Sequence, residues 1–197
     1  MALMFGGCGD KEGSGSQENA AVNEVEDIKQ SMEEAGKEIS KYTPEDLKKA
    51  APLSNEQIKA LLPQSLDGMS RKSFNITKMG FNAAEAKYDD DTRSISLSIL
   101  DGAGEAGAAM IGMTQLGMSA GSESESEHGY MKPFSMNGAK GVEEQDRSSD
   151  GSSTTNKVTF IVADRFLLTF EAQGIEMDKL KSIVDDSKLI DSLEDAR

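Results

Sequence analysis

The feature that most constrains this chain is the alternation in Ser94-Ile95-Ser96-Leu97-Ser98-Ile99, with an aliphatic residue at every second position and serine between. Successive side chains of a strand point to opposite sides, so the segment predicts a strand with one dry face and one wet face. Strands of a doubly wound parallel sheet are covered on both faces and read as continuous apolar runs. A serine-lined strand therefore predicts an antiparallel meander. Its neighbours fit: Phe74 to Met79 alternates, Phe81 to Tyr88 reads as extended, and Asp89-Asp90-Asp91-Thr92 supplies a turn. Weaker strands are expected at 130–134 and 139–144 around Asn137-Gly138. A strong hairpin is expected from 158–162 and 166–170 around Ala163-Asp164-Arg165.

Helix signals fall between these runs. Thr43-Pro44-Glu45-Asp46 reads as a cap and first turn of a short helix ending near Ala50. Ser54-Asn55-Glu56-Gln57 is a capping-box pattern, Leu53 and Ile58 can form a hydrophobic staple, and Pro63 stops the helix. Residues 103–118 are rich in Ala, Gly and Met and predict a helix whose Met110, Met113 and Met118 fill the core. Residues 119–127 are acidic and serine-rich and are expected to be loop. Met177 to Val184 is amphipathic, and a short turn at 187–193 follows. Helices, three strands, a helix, about four strands and a helix argue for an α+β fold. The expectation is a mainly antiparallel sheet of about six to seven strands packed with two to three helices.

One motif tempts toward nucleotide chemistry. Gly102-Ala103-Gly104-Glu105-Ala106-Gly107 is a literal G-x-G-x-x-G between a strand and a helix. In dinucleotide-binding folds such glycines let pyrophosphate approach a helix N-terminus. Here the preceding strand is serine-lined, no parallel strand is expected to return, and Asp101 and Glu105 place negative charge where pyrophosphate would sit. Asp101 is read as a helix cap, with the glycines easing close packing. An enzyme using Gly102, Gly104 and Gly107 remains an alternative. No catalytic residue, cofactor or metal set is assigned. His128 is the only histidine and cannot build a His cluster. Asp89, Asp90 and Asp91 lack the spacing and closing glutamate of an EF-hand.

Charge narrows the partners. Thirty-five acids against 21 bases give a net charge of −14, and no basic stripe with interleaved aromatics stands out. Such a field repels phosphate backbones and disfavours nucleic acid. Hydrophobic residues are only 37% of the 197, which suggests that part of the chain lies outside the core.

The N-terminal region supplies such a part. Met1-Ala2-Leu3-Met4-Phe5-Gly6-Gly7 is a short apolar run ending in two glycines before Cys8, the single cysteine. It resembles the lipobox of bacterial lipoproteins, without the charged n-region and most of the apolar h-region of a full leader. The resemblance implies that Cys8 carries lipid and is the first residue of the mature chain. Residues 9–19 contain nothing apolar and read as a flexible charged tether. In residues 20–42, Val25, Ile28, Met32, Ala35, Ile39 and Tyr42 form a heptad-like stripe, while 9–40 holds nine acids against three bases, a net −6. The organisation expected is 1–8 lipobox remnant, 9–19 tether, 20–52 acidic helical stalk and 53–197 globular domain. The chain is similar to envelope lipoproteins in which strand-rich domains follow such tethers, a resemblance that implies no activity.

The leading expectation is thus a non-enzymatic binding or assembly module. It would sit in the bacterial cell envelope, on the periplasmic face or cell surface, attached to the bilayer through acylated Cys8. The rival readings are the glycine-loop nucleotide enzyme, a scaffold that docks a protein partner through helix 22–42, and a cytosolic protein with an idle thiol.

Overall fold

The computed structural model describes residues 43–197 together with Gly36, Lys37 and Ser40. Cys8, the tether and nearly all of the 22–42 stripe lie outside the described residues. The described domain falls within one compact unit, Glu38–Arg197.

Its centre is one nine-stranded sheet, larger than the six to seven strands expected. In chain order the strands are β1 (Ser65–Leu66), β2 (Met69–Lys78), β3 (Asn82–Asp89), β4 (Ser94–Asp101), β5 (Ser124–Ser126), β6 (Gly129–Met136), β7 (Ala139–Arg147), β8 (Thr154–Val162) and β9 (Phe166–Gln173). Every pairing is antiparallel, in the order β1-β2-β3-β4-β9-β8-β7-β6-β5. The five helices among the described residues are α1 (Glu45–Lys49), α2 (Asn55–Leu61), α3 (Glu105–Ser119), α4 (Met177–Asp186) and α5 (Leu189–Asp195). Two meanders, β1 to β4 and β5 to β9, are joined by α3 and meet at the β4–β9 seam.

The extra strands have a physical reason. β1 is two residues and β5 three, and β5 lies in the acidic serine stretch expected to be loop. All three β5 residues are exposed, so neither face leaves a hydrophobic signature.

The wet and dry faces follow the alternation. Ile95, Leu97 and Ile99 are buried in the main core with Val158, Phe160, Leu168 and Phe170. α2, α4 and α5 cover that face through Ile58, Leu180, Ile183, Leu189 and Leu193. The α2 capping box is formed: Gln57 N–H donates to Ser54 Oγ at 3.2 Å, and Ser54 N–H donates to Gln57 Oε1 at 2.8 Å. Tyr88 is fully buried, and its hydroxyl donates to Pro63 O at 2.8 Å. Burial pushes that phenol up to about 12.

A smaller second core lies on the opposite face, where α1 and α3 meet the sheet. It contains Leu47, Leu100, Ala103, Ala108, Ile111 and Ile161. The side of α3 that enters it consists of Gly107, Ala108, Ile111 and Gly112. Met110 and Met113 are exposed, contrary to the core-filling role expected of them. Small residues on the buried side let the helix lie close to the sheet, which leaves the long side chains outside.

Asp101 also departs from expectation. It caps no helix; Gly104 occupies the N-cap of α3. Asp101 is instead fully buried, accepting from Arg165 Nε at 2.8 Å, Arg165 Nη2 at 2.9 Å, Leu53 N–H at 2.7 Å and Ala103 N–H at 3.1 Å. Four donors around one carboxylate compensate its desolvation.

Candidate functional site

The glycine loop is packed against the protein itself. Gly102 N–H donates to Arg165 O at 2.9 Å, Ala103 N–H to Asp101, and Gly104 N–H to Leu47 O at 3.0 Å. A Cβ on Gly102 would lie 2.6 Å from Arg165 O, and one on Gly107 would lie 2.6 Å from Gly102 C. These glycines let α3 and the β8–β9 turn close on the end of β4. The amides at 102–104 are engaged, so that stretch offers a phosphate no free donor.

The other residues singled out by sequence lie apart. His128 is exposed in the β5–β6 turn, its Nε2 3.4 Å from Glu127 Oε1. Asp90 organises the β3–β4 turn, accepting from Thr92 N–H at 3.0 Å and Arg93 N–H at 2.8 Å, with Arg93 Nη2 2.7 Å away. Those bonds hold its carboxyl well below the usual carboxylate range. Among the described residues, no three His, Cys, Asp or Glu side chains converge to hold a metal.

A cleft of about 740 Å³ opens in the domain, which sequence reasoning did not find. The last turn of α3 forms one wall through Gln115, Met118 and Ser119; Pro133 and Phe134 of β6 form another. The floor comes from the start of β7 and from Ile161, with Ala163, Asp164 and Glu194 at the rim. Two hairpin turns shape it. Asn137 (φ 50°) and Gly138 (φ 81°) make the tight β6–β7 turn that their sequence predicts. Asn137 Nδ2 ties that turn to α4 by donating to Asp185 Oδ1 at 2.8 Å. Ala163 and Asp164 are both left-handed (φ 53°), and Arg165 N–H donates to Val162 O at 3.0 Å. Alanine in that region carries a Cβ clash that glycine would avoid, so the rim stores strain.

Gly141 lets the cleft's aromatic wall seat. A Cβ there would lie 2.5 Å from Thr159 O and 2.9 Å from Phe160 Cδ1. Its absence leaves room for Phe134 and Phe160 to pack edge to face, ring centroids 4.9 Å apart. The lining combines these apolar walls with a few polar groups. Gln115 Nε2 donates to Asp164 Oδ1 at 3.4 Å, and the Ser119 hydroxyl donates to Leu116 O at 2.8 Å. Neither Lys140 nor Glu194 is in an ion pair among the described residues. Met118, Phe134 and Ile161 thus share the lining with Gln115, Ser119, Lys140, Asp164 and Glu194.

Behind Phe134 lies a second buried carboxylate. Glu143 is 1% exposed, paired with Lys132 Nζ at 3.1 Å and with Lys181 of α4. Its Oε2 faces Lys181 without hydrogen-bond geometry. Burial alone would raise its carboxyl, but Lys181 and Lys132 outweigh that and hold it below its ordinary value. Next to it, Gln145 Nε2 donates to Asn156 Oδ1 at 3.0 Å, and Asn156 Nδ2 donates to Ile175 O at 2.8 Å.

No family model matches the chain, and no curated protein is similar to it. One solved structure is similar, the extracellular domain of PknH from Mycobacterium tuberculosis, at 10% identity over 75% of this chain and 99% of that one. The TM-score is 0.43, too low to assign fold or function. Among the described residues no helix is long and apolar enough to cross a membrane.

Proposed function

We propose that this chain is a lipid-anchored envelope module that binds a small amphipathic molecule rather than transforming one. The observation that carries the binding is the 740 Å³ cleft, with Met118, Pro133, Phe134 and Ile161 as apolar surface and Lys140 and Glu194, in no ion pair among the described residues, to meet polar ends. The anchor rests on sequence order alone: apolar run, two glycines, Cys8 and a charged tether. Attachment through acyl chains would hold the domain near the bilayer while 9–19 sets its reach. The glycine-loop enzyme is the weaker reading, because the amides at 102–104 are bonded within the protein.

A dansyl-labelled undecanoate tests the cleft. Its fluorescence should rise on binding with saturable, low-micromolar affinity. Ser119→Trp, which fills the cleft from an exposed position, should weaken that affinity about tenfold or more at unchanged thermal stability. Equal binding by both proteins would remove the cleft from the account. Mass spectrometry of the cell-purified chain tests the anchor separately: an unacylated Cys8 would retire it.

A further inference from the structure

We propose that the outer edge of β2 is a docking site for an extended acidic peptide, which adds to the sheet as a further strand. Among the described residues β1 is the only strand outside β2, and it pairs only with Met69 and Ser70. Met79 N–H donates to Phe81 O at 3.1 Å, which makes that pair a bonded one. In an antiparallel ladder bonded and non-bonded pairs alternate, so residues 77, 75 and 73 bond β3 while Phe74, Ile76 and Lys78 turn their backbone groups outward. Three consecutive outward-facing residues form a template for strand addition.

The side chains on that edge specify the partner. Between Asp67 and Glu85 the chain has no acid, while Arg71, Lys72 and Lys78 lie on β2, in a protein of net charge −14. The fold adds Lys59 from α2, its Nζ 4.7 Å from the Phe74 ring centroid, with the Arg71 guanidinium 5.3 Å from the same centroid. Phe74 is nevertheless 43% exposed. Two acids stand behind the edge, Glu85 and Asp89 on β3, Asp89 lying 3.7 Å from Lys72 Nζ, and a third, Glu56 on α2, shares the electrostatic neighbourhood of Lys59 and Lys78. Arg71, Phe74, Ile76 and Lys78 thus present cation, ring, aliphatic and cation along one face. A strand carrying acids at its ends and apolar residues between them complements that row.

Lysines on an edge commonly guard against self-association. Here the guard is selective. A second copy of β2 in antiparallel register would bring like charges together at both ends, whereas an acidic strand would meet Lys78 at one end and, at the other, Arg71, whose guanidinium donates to Leu62 O at 2.8 Å and Gln64 Oε1 at 3.2 Å without an acid among its hydrogen-bond acceptors. An anionic bilayer would satisfy the charges but not the row of backbone groups, which need a polypeptide.

The experiment uses the full chain and the fluorescein-labelled peptide Glu-Thr-Val-Thr-Val-Thr-Glu, with Lys-Thr-Val-Thr-Val-Thr-Lys as control. Anisotropy should show saturable binding of the acidic peptide alone, weakened about tenfold by Lys78→Glu. Ile76→Pro removes an outward N–H that no strand among the described residues uses, and should abolish binding while thermal unfolding shows the fold retained. Amide hydrogen exchange at Phe74, Ile76 and Lys78 should slow when the peptide is bound. Equal binding of both peptides, or unchanged exchange at those amides, overturns the proposal. So does binding to phosphatidylglycerol vesicles that Lys78→Glu abolishes, if the acidic peptide does not bind.

Discussion

Asp101 on β4 and Glu143 on β7 are both buried carboxylates, and they are held by opposite means. Asp101 meets two backbone amides and the rigid fork of Arg165, itself nearly buried. Arg165 Nη2 also donates to Ala51 O at 3.2 Å, so the pair fastens the segment before α2 to β4 and the β8–β9 turn. Glu143 meets two lysines, whose side chains are 47% and 26% exposed. Those ammonium groups can swing into water. The difference is between a charge whose partners are part of the backbone framework and a charge whose partners are long, mobile arms. The first should be costly to disturb and the second tolerant.

Arg165→Met gives the largest expected effect. It strands Asp101 without its cation and should lower unfolding free energy by roughly 3–5 kcal/mol in urea denaturation. A loss under about 1 kcal/mol would erase the contrast. Lys181→Met should be milder, about 1–2 kcal/mol, since Lys132 remains and Glu143 can still draw on it. The smallest effect sharpens the comparison through pH. Glu143's folded pKa is depressed, so its contribution is fully present above its unfolded value near 4.5 and is lost as pH falls through the folded one. The stability gap between wild type and Glu143→Gln should therefore narrow from pH 7 to pH 3. A gap that widened in acid would reverse the sign and refute the two-lysine account.

Local pattern announced part of this architecture. Ile95, Leu97 and Ile99 declared the dry face, Ser54 and Gln57 the start of α2, and Asn137-Gly138 the hairpin, because each signal is complete within a few residues. In sequence Asp101 has the look of a cap because its true partner, Arg165, is 64 positions away. Met110 and Met113 looked like core because composition marks a residue as apolar without saying which side of the helix meets the sheet. The cleft was invisible for the same reason: Gln115, Pro133, Ile161 and Glu194 belong to four different elements that only the folded sheet assembles. The basic edge escaped notice because its aromatic is flanked by Lys59, 15 positions earlier and on a helix.

The strand order has a consequence for biogenesis. β9 lies between β4 and β8, so the seam at the middle of the sheet is sealed by the last of the sheet's own nine strands to leave the ribosome. Until residue 173 has been made, the free flank of Ser94–Asp101 must travel with the nascent chain as an unsealed seam, rich in Ile and Leu. Interrupting translation anywhere between α3 and β9 would release a polypeptide with a sticky wound at its centre, a natural client for holding chaperones.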